Sequence, residues 1–222
     1  MRALNLVANR LLATLPGSIL DVIEPYFTVV TLAAGTIVHQ PDDEVHHLYF
    51  PSDGFVSLQI VAGTGSFIDT ALVGRDGALG PMAGIGRYKS KVRCVVRSAL
   101  VAMKVSGIEF RRLAAQHSAL NALCIDYNDS LLSQTQLHAL RYALLSVDAR
   151  LAACLLDVSS FLSGDSIPLT QEVIGEMLAV TRPSVSDAGC RLKAAGIISY
   201  SRGEIQILDR AGLLKLSRAI PK

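Results

Sequence analysis

The sequence predicts an α+β chain, with an N-terminal β-roll (double-stranded, jelly-roll-like), a long helix and a C-terminal winged helix-turn-helix. Three observations carry the prediction. Residues 28–105 are a succession of short β-rich runs broken by turn residues; residues 118–145 hold a long helical period; and residues 169–203 set two capped helices two residues apart, ahead of a turn between short strands. At 222 residues, half of them hydrophobic, the chain has the length of one or two domains and ample apolar material for two cores.

The chain opens with Leu4, Leu6, Val7, Leu11 and Leu12. Asn5, Asn9 and Arg10 interrupt this run too early for a signal sequence or a membrane span, so a cytoplasmic protein with no membrane partner is expected. The runs TVVTL, TIVHQ, HHLYF, FVSLQIV, SFIDTALV, KVRCVV and ALVAMKV follow, punctuated by Gly35, Pro41-Asp42, Pro51 to Gly54, Thr64-Gly65 and Gly74 to Gly77. Many short strands with frequent turns close into a double-sheet roll or barrel. Cys94, Cys124, Cys154 and Cys190 are far apart and lack clustered His partners, so they read as buried apolar residues, with no disulfide framework and no metal. His46 and His47 are neighbours on a strand and point to opposite faces, which disfavours a shared ion. The glycines of VGRDGALG and GPMAGIG lack the spacing of a nucleotide-binding loop followed by a helix, and read as turns.

Ser106 with Glu109 forms a capping box for a short helix through Gln116, and Ser118 caps a longer one. Along the longer helix Leu120, Cys124, Tyr127, Leu131, Gln134, His138 and Arg141 follow the four-three alternation of a two-stranded coiled coil, and are expected to form a dimer seam that turns polar toward its end. Packing of this helix along its own N-terminal domain would account for Leu123 and Leu137 outside the seam, and both faces are expected to be used. The expected division is residues 1–117 for the roll with its flanking helices, 118–145 for the dimerisation helix and hinge, and 146–222 for the C-terminal domain. Its first helix is capped by Ser146 or Asp148 and buries Leu151, Leu155, Leu156 and Phe161, and residues 163–168 form a polar loop.

Thr170 caps the next helix, with Glu172 facing the positive end of its dipole and Val173, Ile174, Met177 and Leu178 on one face. Thr181 caps another, and Pro183 sits in its first turn, where a missing N–H is harmless. Val185, Ala188 and Leu192 point inward, which leaves Arg182, Ser184, Ser186, Asp187 and Arg191 for solvent or a duplex. Only Ala179 and Val180 separate the two helices, which requires a sharp corner, and Gly175 provides a side-chain-free spot where the second helix can cross closely over the first. IISY, then Ser201-Arg202-Gly203, then EIQIL read as a wing that brings Arg202 near a phosphate. An ordinary helical hairpin with a β-hairpin would carry the same caps and periods.

Residues 148–213 resemble the winged-helix domain of the Crp/Fnr superfamily of bacterial transcription regulators, most specifically in LTQEVIGEML, TRPSVS and LKAAGIISYSRGEIQILDRAGL, where Asp209 caps a last helix; the order of segments upstream extends the resemblance to nearly the whole chain. It implies a homodimer that reads a palindromic operator through residues 181–194. Thr170, Thr181, Arg182, Pro183, Ser184, Ser186, Asp187, Arg191 and Arg202 are then the DNA-binding candidates. Well-known members carry a glutamate where this chain has Pro183 and an arginine where it has Asp187, so their half-site does not carry over. Cyclic-nucleotide members hold the ribose with Gly-Glu and the phosphate with Arg-Ser. Here Ala78 or Leu79 stands for the glutamate and Lys89-Ser90 for the Arg-Ser pair, so the cassette is degenerate and control by cyclic nucleotide is not expected. Arg75, Asp76, Ala78, Leu79, Lys89 and Ser90 mark the candidate effector pocket. Arg75, Arg87, Lys89 and Arg93 could instead form an anion pocket of another design, or a solvated rim, the favoured reading. The iron–sulfur class of sensors is set aside, because closely spaced cysteines are absent from the sequence.

The net charge is only +2, and residues 148–222 hold nine Lys/Arg against eight Asp/Glu, so duplex affinity must come from local placement of cations. The near-neutral domain keeps a second reading open, a ligand-sensing module acting through protein contacts without an operator. No catalytic motif is present, no enzyme is expected and no cofactor is implied. Double-stranded DNA, a second copy of the chain, RNA polymerase and an unidentified small-molecule effector are the partners the resemblance implies.

Overall fold

The computed structural model describes residues 5–63, 65–86, 88–162, 166–201 and 204–218. These divide into two compact units, residues 1–58 with 73–133 and residues 59–72 with 134–222.

The seven strands expected from the β-rich runs form: β1 (Thr28–Leu32), β2 (Ile37–His39), β3 (His47–Asp53), β4 (Val56–Val61), β5 (Phe67–Val73), β6 (Arg93–Val96) and β7 (Leu100–Ser106). They make two antiparallel-paired sheets, ordered β1-β7-β3 and β2-β6-β4-β5, which is the roll. The outer part of the β4–β5 hairpin, residues 59–72, counts with the second unit. Inside the first unit Phe50 packs between Phe27 and Phe110 and is fully buried with Leu48, Ile23 and Leu12. Ile23 closes α1 (Gly17–Ile23), a helix the sequence reading does not assign. Asn9, one of the polar residues that break the opening apolar run, is completely buried: its Nδ2 donates to the carbonyls of Pro51 and Gly77, and its Oδ1 accepts from the Leu12 N–H.

The roll leads into α2 (Gly107–Ala114) and then α3 (Ser118–Leu144). Ser106 caps α2 by accepting from the Ile108 N–H, but Glu109 turns outward to Arg112 at 3.0 Å and does not close the expected capping box. The expected dimer seam is corrected more deeply. Leu120, Cys124 and Tyr127 are buried in the core of the first unit, and Leu131 packs against that core. Gln134 accepts from the Leu72 N–H at 2.9 Å, and burial lowers the pKa of His138. Arg141, the seventh position, pairs with Asp157, so all seven have partners in their own chain; for Leu120 to Leu131 the cause is the apolar surface of the roll, which that stripe covers.

The second unit continues with α4 (Val147–Phe161), β8 (Ser166–Ile167), α5 (Gln171–Leu178), α6 (Arg182–Ala194), β9 (Ile198–Ser201), β10 (Glu204–Ile207) and α7 (Arg210–Leu216). Ser146, Thr170, Thr181 and Asp209 each accept a backbone N–H at the helix start where the sequence places a cap, Ser146 being the choice over Asp148. Residues 163–165 lie outside the described residues. Ser166 and Ile167, expected in a polar loop, instead form β8 and pair with β10, so the wing sheet is three-stranded, β8-β10-β9. Among the described residues no helix is long and apolar enough to cross a membrane.

Candidate nucleic-acid interface

The corner between α5 and α6 is built as the sequence suggests. Ala179 adopts the left-handed conformation, with φ of 51°, and the Val180 N–H donates back to the Gly175 carbonyl at 3.0 Å. A Cβ on Gly175 would lie 3.0 Å from the Val180 carbonyl oxygen and 3.7 Å from a Val185 methyl of α6, so a side chain there would press on the corner and touch the crossing helix. Thr181 then caps α6, and its hydroxyl also meets that of Ser184 at 2.9 Å. Ile174, Met177, Leu178, Val185, Ala188 and Leu192 are buried, so both helices turn their apolar stripes into one core.

Helical spacing puts Pro183, Asp187 and Cys190 along the middle of the outward face of α6, flanked by Arg182, Ser186 and Lys193 on one side and by Ser184 and Arg191 on the other. Arg182, Pro183 and Asp187 are exposed; Ser184 and Ser186 are half-buried. Arg182 opens onto a groove that it shares with Thr170, Gln171, Glu172 and Tyr200, so it stands between the start of α5 and the wing. Arg191 is not a free cation: Nε donates to Asp148 Oδ2 at 2.7 Å and Nη2 to Oδ1 at 2.5 Å, a fork onto the first turn of α4. This pair and hydrogen bond raise the Arg191 pKa further above its ordinary value. Arg202 lies outside the described residues. Cys190, expected to be buried, is exposed on this face, whereas Cys94, Cys124 and Cys154 are buried. Its spacing from Pro183 and Asp187 is the signal in the sequence that would have found it.

The candidate effector pocket is only partly assembled. Ala78, Leu79 and Ser90 line a cavity of about 60 Å³ in the first unit, together with His39, Leu58 and Leu131. Arg75, Asp76 and Lys89 are not among its lining residues. Lys89 instead borders an open groove with Glu44, His46, His47 and Arg111. Arg93 donates from Nε to Gln40 Oε1 at 3.1 Å, and Arg87 lies outside the described residues. Ser90 directs its hydroxyl to the Val92 carbonyl at 2.7 Å. At the corner where a ribose-binding glutamate would stand, Tyr127 of α3 reaches the backbone of Ala78, and burial pushes its phenol pKa well up. A Cβ on Gly77 would overlap the Tyr127 ring. Burial likewise lowers the pKa of His39, whose Nε2 is buried without a hydrogen-bond partner. Among the described residues no group of three or more His, Cys, Asp or Glu could hold a metal ion.

The family model for the Crp-like helix-turn-helix domain matches residues 149–216. No curated protein matches the chain. Among solved structures, FixK2 from Bradyrhizobium japonicum is similar over 88% of this chain and 99% of its own, at 18% identity and a TM-score of 0.76. A putative transcriptional regulator of the Crp/Fnr family from Eubacterium rectale is similar over 96% and 100%, at 17% identity and 0.71. The c-di-GMP-responsive global regulator CLP from Xanthomonas campestris is similar over 87% and 100%, at 17% identity and 0.68. At these identities the likeness establishes the fold.

Proposed function

We propose that the chain is a transcription regulator of the Crp/Fnr type that binds a palindromic DNA operator as a homodimer, a reading supported by the Crp-like helix-turn-helix match at residues 149–216 and by the fold shared with solved Crp/Fnr regulators. The observation that carries this reading is the α5–α6 pair, whose apolar stripes share one core while the start of α6 presents Arg182, Pro183, Ser186 and Asp187 outward. A helix so presented enters the major groove, and a two-fold pair reaches successive grooves about one helical turn apart. Arg182 is the base-reading residue, suited to a forked contact with guanine. Thr170, Thr181, Ser184 and the wing supply backbone contacts, and Arg191 joins them only by leaving Asp148.

The dimer face we assign is the outer side of α3, where Ala122, Ile125, Asp129, Leu132, Gln136, Ala139 and Ala143 repeat at four-three spacing; Ile125 is 56% exposed and Leu132 53%. The roll, residues 1–117, serves as the sensor domain. A cavity of about 60 Å³ with no Arg or Lys among its described lining residues supports control by something other than a cyclic nucleotide. Such a regulator has no need of catalysis, and RNA polymerase is the machinery it would address.

Selection of bound duplexes from random sequence by the purified protein, followed by anisotropy titration, tests the proposal. A two-fold-symmetric motif should emerge, with affinity falling as salt rises. Arg182→Ala should cost about 1–3 kcal/mol and relax preference at one position of each half-site. Salt-insensitive behaviour toward all duplexes would favour the module that acts through protein contacts alone.

A further inference from the structure

The corner of the helix-turn-helix is gripped from outside the motif. Tyr142, near the end of α3, has its hydroxyl 2.7 Å from the Met177 carbonyl and 3.2 Å from the Asp69 carbonyl. One phenol proton serves one of these acceptors, and the shorter distance assigns it to Met177. Arg150, in the first turns of α4, donates from Nη1 to the Leu178 carbonyl at 3.2 Å, and its guanidinium lies over the Tyr142 ring, 5.6 Å from the centroid. Met177 and Leu178 are the last two residues of α5, whose carbonyls have no further helical turn to donate to them and carry the negative end of the dipole. A phenol hydroxyl and a guanidinium are the donors such an end requires. The next residues are Ala179 in its left-handed conformation, Val180 and the α6 cap Thr181. Tyr142 and Arg150 flank Leu145 and Ser146, the break between α3 and α4.

We propose that Tyr142 and Arg150 are positioning residues for DNA recognition, fixing where α6 stands relative to the break between α3 and α4. The proposal rests on the reading of α6 as a recognition helix presented in duplicate. A duplex with two half-sites needs both copies of α6 at one spacing, so any freedom at the corners must be lost on binding. A single half-site makes no such demand. Loosening the grip therefore weakens binding to the whole site and leaves binding to half of it intact.

The probe is a duplex selected by the wild-type protein, used whole and cut to one half-site. Tyr142→Phe keeps the ring and removes the hydroxyl. It should weaken binding to the whole duplex by roughly three- to tenfold, the effect of one hydrogen bond, with half-site affinity unchanged and amide exchange faster in residues 178–181. Arg150→Gln should show the same split, and carries the comparison if Tyr142→Phe does not fold. Wild-type affinity of both variants for the whole duplex would overturn the proposal. So would equal losses on whole and half duplexes, which mark a merely structural role. A wild-type protein that selects no duplex removes the proposal together with the reading of α6.

Discussion

Single residues here act mainly through what they satisfy. Asn9 fills three hydrogen-bonding needs from a fully buried position, tying the opening segment to β3 and to the turn after β5. Asn9→Ala would strand two carbonyls and one N–H away from water, so a loss of about 2–4 kcal/mol is expected, measurable by chemical denaturation. From the sequence, Asn9 registers only as an interruption of an apolar run, because its partners lie 42 and 68 residues away. The same distance problem hides the Arg191–Asp148 fork, 43 residues apart. The exposed position of Arg182 at the start of α6, by contrast, is legible, since it follows from a local cap, a local proline and a local apolar stripe.

At the scale of elements, strands and caps were readable because their causes are local: alternation, turn residues, and hydroxyls or carboxylates one turn from the N–H groups they accept. The seven-residue α1 escapes because it is too short to complete an amphipathic repeat, and β8 because two residues carry no period. The face assignment of α3 fails for a different reason. A long helix offers more than one four-three stripe, and only packing against the roll decides that the Leu120, Cys124 and Tyr127 stripe turns inward while that of Ile125 and Leu132 stays out. If the outer stripe is the dimer seam, two-fold pairing sets Asp129 of one protomer against its copy, a like-charge contact. Leu132→Glu should shift the dimer toward monomer and Asp129→Asn should strengthen it, both read by analytical ultracentrifugation. Two variants with unaltered association would place the seam elsewhere.

For the molecule as a whole, the near-neutral charge and one buried and two half-buried histidines set the response to solution conditions. His39, His47 and His138 all have pKa values lowered chiefly by burial, with cationic neighbours adding to the shift: Lys104 beside His47 and Arg141 beside His138, the latter partly offset by Asp157. The unfolded chain therefore binds these protons more readily than the fold does. Their contribution to stability is complete above the ordinary value of 6.5 and is lost as pH falls below it. The unfolding midpoint should hold steady above about pH 7 and drop between roughly pH 6.5 and 5, and His39→Gln should flatten part of that slope. A midpoint independent of pH over this range would refute it. The Tyr127 ring gives a last consequence. Because the ring lies against Gly77 and the Ala78 backbone while its own backbone belongs to α3, the turn after β5 and the long helix are tied at one point and cannot shift independently.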